Sequence, residues 1–193
     1  EFSAHQIELD DVARRHGVTL IASGFHPFAT REQIHWMPKG RYGVMREYLP
    51  TRGARALDMM TRTATVQANF DYKDEVDCGR RLRLAASLTP ALVAMFANSP
   101  YRDGRHHGVR SERSAVWEEV DPDRCGLLDI LFDEDFSFHK YALWALDIPM
   151  FFVKRAGRYL PYHGTFSRFI EDGMVLEDGS PTHPTAAAWR VPL

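Results

Sequence analysis

The amino-acid sequence predicts an α+β fold, and two observations carry that expectation. Residues 62–72 alternate strictly: Thr63, Thr65, Gln67, Asn69 and Asp71 fall on one side, and Ala64, Val66, Ala68, Phe70 and Tyr72 on the other. A period of two over this length is the pattern of a half-buried antiparallel strand. Helical and strand segments also follow one another in irregular order, which argues against a doubly wound parallel sheet.

The elements follow in chain order. Residues 6–16 are predicted as a helix closed by Gly17 in the left-handed cap position. Residues 18–23 read as a strand. Residues 24–40, with Pro27 and Pro38, read as loop, and 41–49 as a helix stopping before Pro50. A basic loop over 51–55 leads into the alternating strand. Residues 74–87 carry a helical apolar stripe, and Thr89-Pro90 can cap and restart a second helix to about Ala97. Residues 99–112 form a Gly/His/Arg-rich loop, and 135–146 are helical. Residues 150–154 and 158–160 form a hairpin turning at Ala156-Gly157. Thr165 caps a short helix to Asp172, with Gly173 after it, and 174–188 are loop-rich.

Composition excludes several classes. With 45% hydrophobic and 26% charged residues in 193, the chain can bury a core, and global disorder is excluded. The longest clean apolar run is Ala91–Ala97, too short to span a bilayer, and 142–153 is broken by Asp147 and Pro149. A net charge of −2 indicates neither a nucleic-acid nor a membrane surface. Cys78 and Cys125 make no disulfide framework, so a reduced, cytoplasmic location is the default expectation. The start shows no signal-peptide pattern. A first residue other than Met and an abrupt end suggest an internal piece of a longer chain.

Three features could carry chemistry. The polar strand face offers short hydrogen-bonding groups that hold a polar ligand with few rotamers to freeze. An ordinary solvated face would show the same pattern. Arg113 and Trp117 are four apart, so one helical turn puts guanidinium and indole on the same side. That pair suits an amino-acid carboxylate, which takes two parallel charge-assisted bonds while the ring excludes water. A surface Arg beside a core Trp is the plainer reading. Met37-Pro38-Lys39-Gly40-Arg41-Tyr42 is a basic turn able to hold an anion, though it lacks the Walker spacing. No His-x-x-x-His pair or zinc-spaced cysteine exists, and no Gly-x-Ser-x-Gly elbow.

Met37–Tyr42, Asp58-Met59-Met60 leading into 62–69, Phe96–Pro100, Arg113-Ser114-x-x-Trp117, Asp121–Arg124 and Ala145–Met150 occur in that order. Together they resemble glutamate–cysteine ligase of the plant and proteobacterial type, from about Gly24 to Phe169. The resemblance implies a curved antiparallel sheet flanked by helices, as in the glutamine-synthetase group of carboxylate–amine ligases. It implies that residues 1–193 are the central part of one catalytic domain. It implies ATP and Mg²⁺ as cofactors, with L-glutamate and L-cysteine joined through a γ-glutamyl phosphate in the first step of glutathione synthesis.

By the same resemblance, Arg113 and Trp117 hold glutamate, Arg41 assists on an anionic group, and Thr65 and Phe151 line the substrate site. Gln67, Asn69 and Arg124 lie near ATP phosphates, and Gln67 stands where some related ligases place a metal-binding His. Phe151 departs from the Tyr usual in the family, and Ala64 from the usual Cys. No Glu-x-Glu strand supplies metal carboxylates, so this chain alone is expected to show little ligase activity. A non-catalytic amino-acid-binding module, or a ligase using another amine, is the alternative.

Overall fold

The computed structural model describes residues 2–184. Helix α1 (Phe2–Arg15) begins earlier than expected, and Gly17 follows it at φ +64°. Helix α2 (Gly40–Tyr48) runs into a 3₁₀ turn at Leu49–Thr51 that carries Pro50 in its first turn. Helix α3 (Ala56–Arg62) was not expected. It lies along the stretch where a basic loop was to hand over to the alternating strand.

Both early strands are corrected by the structure. Residues 18–23 and 64–72 belong to no strand. Phe25 and Thr63 make an isolated antiparallel bridge, and the Ala64 amide donates to the Gly24 carbonyl at 3.0 Å. Beyond that root the segment runs free, with Val66 87% and Phe70 77% exposed. Alternation describes side chains, whereas a strand also needs a neighbour to pair its amides and carbonyls. No such neighbour lies beside 64–72 among the described residues.

Helix α4 (Glu75–Phe96) is one helix, not two. Asp74 caps it by accepting from the Asp77 amide, and Pro90 sits inside. Proline removes one amide from the ladder, while the neighbouring Thr89 hydroxyl donates to the Ala85 carbonyl at 2.8 Å. The helix continues where a restart was expected.

A small hairpin follows, β1 (Tyr101–Arg102) with β2 (Arg105–His106). Its two turn residues, Asp103 and Gly104, both have positive φ, as a tight hairpin with right-handed strand twist requires. Helix α5 (Glu112–Glu118) is capped by Ser111. Helix α6 (Phe138–Leu146) starts at the Ser137 cap, three residues later than expected. The expected hairpin is present as β3 (Phe152–Arg155) with β4 (Arg158–Pro161). Ala156 and Gly157 turn it at positive φ. Helix α7 (Phe166–Asp172) has its Thr165 cap and Gly173 at φ +68°. Within the expected terminal loop, β5 (Met174–Val175) pairs with β6 (Pro181–Thr182). Residues 185–188 of that loop lie outside the described residues.

Helices and small antiparallel sheets make this an α+β chain. The described strands form three separate two-stranded sheets rather than one curved sheet. Phe25, Leu49, Ala56, Val116 and Val120 form the main core, with Tyr48, Trp117 and Phe151 packed against it. A second cluster joins Val153, Phe166 and Phe169.

Candidate functional site around helix α5

The start of α5 is held from two directions. The Ser99 carbonyl accepts from the Glu112 amide at 2.8 Å, and the Ser99 hydroxyl accepts from the Arg113 amide at 3.1 Å. The neighbouring Asn98 amide donates to the Ala22 carbonyl at 2.6 Å, and the Asn98 carbonyl accepts from the Gly24 amide at 3.0 Å. The Asn98-Ser99 pair thus fixes Gly24 and α5 together. A Cβ added at Gly24 would stand 3.3 Å from Arg113 Cδ, so the backbone there passes tight against the arginine.

Helix α5 puts Arg113 and Trp117 on one side, with the Arg113 guanidinium carbon 5.7 Å from the indole centroid. Among the described residues, Arg113 Nε and Trp117 Nε1 are buried without a hydrogen-bond partner, as are Arg52 Nε and Arg62 Nε. No carboxylate lies within ion-pairing distance of Arg113 among the described residues. Two orphaned donors on adjacent side chains demand an acceptor, because an unpaired buried donor costs about 1–3 kcal/mol.

A charged network beneath α5 went unnoticed in the sequence. Glu112 is buried and accepts from Arg55 at 2.5 Å and from Arg102 at 2.9 Å. Asp58 accepts from Arg31 at 3.2 Å and lies 3.6 Å from Arg55 and 3.5 Å from Arg62. Arg62 also donates to Asp103 at 2.7 Å, and its guanidinium lies 4.4 Å from the Phe25 ring centroid. Burial pushes the Asp58 carboxyl up. The Arg31 hydrogen bond and the charges of Arg31, Arg62 and Arg55 outweigh burial and leave it below the usual 3.8. The spacing Arg55, Asp58, Arg62 marks one helical face and was the available signal.

The other expected residues divide. Arg124 is committed internally: it bonds buried Asp121 and the Pro149 carbonyl, and its guanidinium carbon lies 3.9 Å from the Phe151 ring centroid. Arg52 bonds Asp123 and approaches Asp121 at 3.8 Å, so two cations and two anions balance there. Phe151 meets Tyr48 edge-on at 5.6 Å and shares the main core with Trp117. Arg41 lies in the first turn of α2, 5.2 Å from the Tyr42 ring centroid and free of ion pairs among the described residues. Beside it, Trp36, Met37, Lys39, Gly40, Tyr42 and Arg46 line an open hollow of about 360 Å³.

Thr65, Gln67 and Asn69 are not brought to Arg113. The Gln67 amide donates to Asn69 at 2.8 Å, and the Thr65 hydroxyl donates to the Val66 carbonyl at 3.0 Å. All three are exposed, and only the root of their segment, at Ala64 and Gly24, touches the Arg113 neighbourhood. No group of three His, Cys, Asp or Glu side chains among the described residues could hold a metal ion. The described residues therefore offer no all-protein cage for Mg²⁺, an ion that one or two carboxylates and substrate phosphates ordinarily hold.

The family model for glutamate-cysteine ligase family 2 (GCS2) matches residues 1–187. The chain belongs to this family. It is 43% identical over 191 residues to the chloroplastic glutamate–cysteine ligase of Brassica juncea, covering 98% of this chain and 37% of that protein. The chloroplastic ligase of Medicago truncatula is likewise 43% identical, with the same coverage. Ligase A of Oryza sativa subsp. japonica, also chloroplastic, is 42% identical over 98% of this chain and 38% of its own length. The chain spans little more than a third of the curated relatives it matches. Their chloroplastic names overturn the cytoplasmic expectation. Sparse cysteines report a surrounding that needs no disulfides, not an address.

Proposed function

We propose that residues 1–193 are the central part of one glutamate–cysteine ligase catalytic domain and carry its glutamate-binding element. The single observation supporting this is the pair of buried, unpartnered donors at Arg113 and Trp117. A carboxylate of glutamate supplies the acceptor they lack. The guanidinium pairs with it, and the indole donates one further bond while excluding water. Arg41, at the start of α2 and free of ion pairs among the described residues, meets a second anionic group.

In the proposed reaction the glutamate γ-carboxylate attacks the γ-phosphorus of ATP, forming an acyl phosphate and ADP. The cysteine amine then attacks the acyl carbon, the C–O bond to phosphate breaks, and a proton leaves the nitrogen. The products are γ-glutamylcysteine and inorganic phosphate. Positive side chains lower the cost of bringing anionic groups together. Arg124 is a positioning residue: held by Asp121, it braces Phe151 on the cysteine side. The segment 64–72 completes the floor once it is paired as a strand of the family's curved sheet. Its row of Thr65, Gln67 and Asn69 then extends from a root already beside Arg113.

Calorimetric titration with glutamate tests the reading. Arg113→Ala abolishes measurable binding, whereas Arg113→Lys retains part of it. Binding that persists unchanged in Arg113→Ala places the amino-acid pocket elsewhere. The lack of a three-ligand metal cluster among the described residues favours a second reading, a binding module without catalysis. Phosphate release from ATP, Mg²⁺, glutamate and cysteine, dependent on both amino acids, eliminates that second reading.

A further inference from the structure

The C-terminal half of α4 is built for an interior. From Leu84 to Phe96 it carries no charged side chain. Leu84, Leu88, Leu92 and Met95 fall within roughly 80° of one another at 3.6 residues per turn, and all four are exposed. Val93 and Phe96 carry the apolar surface further round, with Met95 and Phe96 each 75% exposed. The buried residues of α4 are Cys78, Gly79 and Ala86, and its packing is against α6 and the turn at 129–132. A helix apolar on nearly every side belongs inside a protein or a membrane. No described helix is long and apolar enough to cross a membrane. A helix lying in a lipid interface carries Lys and Arg along its polar face, and residues 84–96 carry none. Polypeptide is the favoured cover.

The whole surface points the same way. The chain exposes 13891 Å², against roughly 9,300 Å² for a compact monomer of 22.1 kDa. At the extended-chain limit, the ten undescribed residues add no more than about 1,600 Å². An excess on the order of 3,000 Å² remains, the scale of an obligate interface. The relatives supply chain to cover it, since 37% of the Brassica juncea protein is matched here.

We propose that the Leu84–Leu88–Leu92–Met95 face of α4 docks against the part of a glutamate–cysteine ligase chain that lies outside this matched segment. The proposal rests on the reading of residues 1–193 as one piece of a larger domain. The occupant presents an apolar face of its own, without charges opposite α4.

The test replaces the matched segment of the Brassica juncea ligase with this chain and introduces Leu92→Cys. Maleimide labelling at position 92 is read by peptide mass spectrometry. The isolated chain labels freely. In the chimera the rate falls by about tenfold or more, as for a site opened only by local unfolding. Equal labelling in both overturns the proposal, as does a chimera that never accumulates in soluble form. Protection in the isolated chain by self-association, or by phosphatidylcholine–phosphatidylserine vesicles, assigns the face to another occupant and also overturns it. Ligase turnover is measured separately. A protected but inactive chimera keeps the docking and removes the catalytic reading.

Discussion

At the scale of single residues, close backbone approaches decide more than the polar side chains that first draw notice. The Gly24 backbone passes tight against the Arg113 side chain. Gly24→Ala puts a methyl 3.3 Å from Arg113 Cδ, which displaces a flexible side chain rather than backbone. Under the glutamate-binding role proposed for Arg113, affinity is expected to fall about tenfold by calorimetry, a cost of about 1.4 kcal/mol, with little change in melting temperature. Gly53 is a harsher case. A Cβ there would stand 2.1 Å from the Glu119 carbonyl oxygen and 2.3 Å from that of Val120. Backbone cannot step aside as a side chain can, so Gly53→Ala is expected to cost about 3 kcal/mol or more in urea unfolding. Asp58 sets an acid limit. Its folded carboxyl titrates below the ordinary 3.8 because Arg31, Arg62 and Arg55 outweigh its burial. The stability it contributes is therefore fully present above 3.8 and is lost as pH falls through the lower folded value. Asp58→Asn should flatten that part of the stability–pH curve, and an unchanged acid limb would assign the loss to another carboxylate.

At the scale of elements, α3 and α5 are joined by buried charge. Glu112 is buried and shares its carboxylate between Arg55 and Arg102. Glu112→Gln keeps the shape and removes the charge, leaving two guanidinium groups short of a partner. A loss of about 3–5 kcal/mol is expected, as for other broken buried pairs. A loss within ±0.5 kcal/mol would show the network to be solvated. These elements also show what the sequence could convey. Caps, glycine stops and the Ala156-Gly157 turn are local chemistry, so α7 and the β3–β4 hairpin were legible. The i, i+4 spacing of Arg113 and Trp117 was legible for the same reason. Helix α3 was hidden because its polar positions Asp58 and Arg62, with Arg55 just before its first turn, are buried by pairing rather than by hydrophobicity. The alternating segment 64–72 misled because pairing partners are non-local. Its pattern specifies a strand face, but the ladder depends on chain that does not lie beside it among the described residues.

At the scale of the molecule, surface accounting gives a measurable consequence. A fully unfolded chain of this mass exposes roughly 32,000 Å², so folding to 13891 Å² buries a little over half of it. A compact monomer of the same mass buries about 70%. The slope of unfolding free energy against urea follows the area newly exposed. This chain should therefore unfold with a slope about a fifth below that of a compact protein of equal length. The chimera should recover the missing slope as α4 and residues 64–72 gain cover. Equilibrium unfolding followed by circular dichroism and by tryptophan fluorescence supplies both values. Coincident transitions are required, because a populated intermediate lowers the apparent slope for another reason. If the isolated chain gives the full slope of a compact protein, α4 is folded back on the rest in solution, and the exposed face of Leu84, Leu88, Leu92 and Met95 does not exist there.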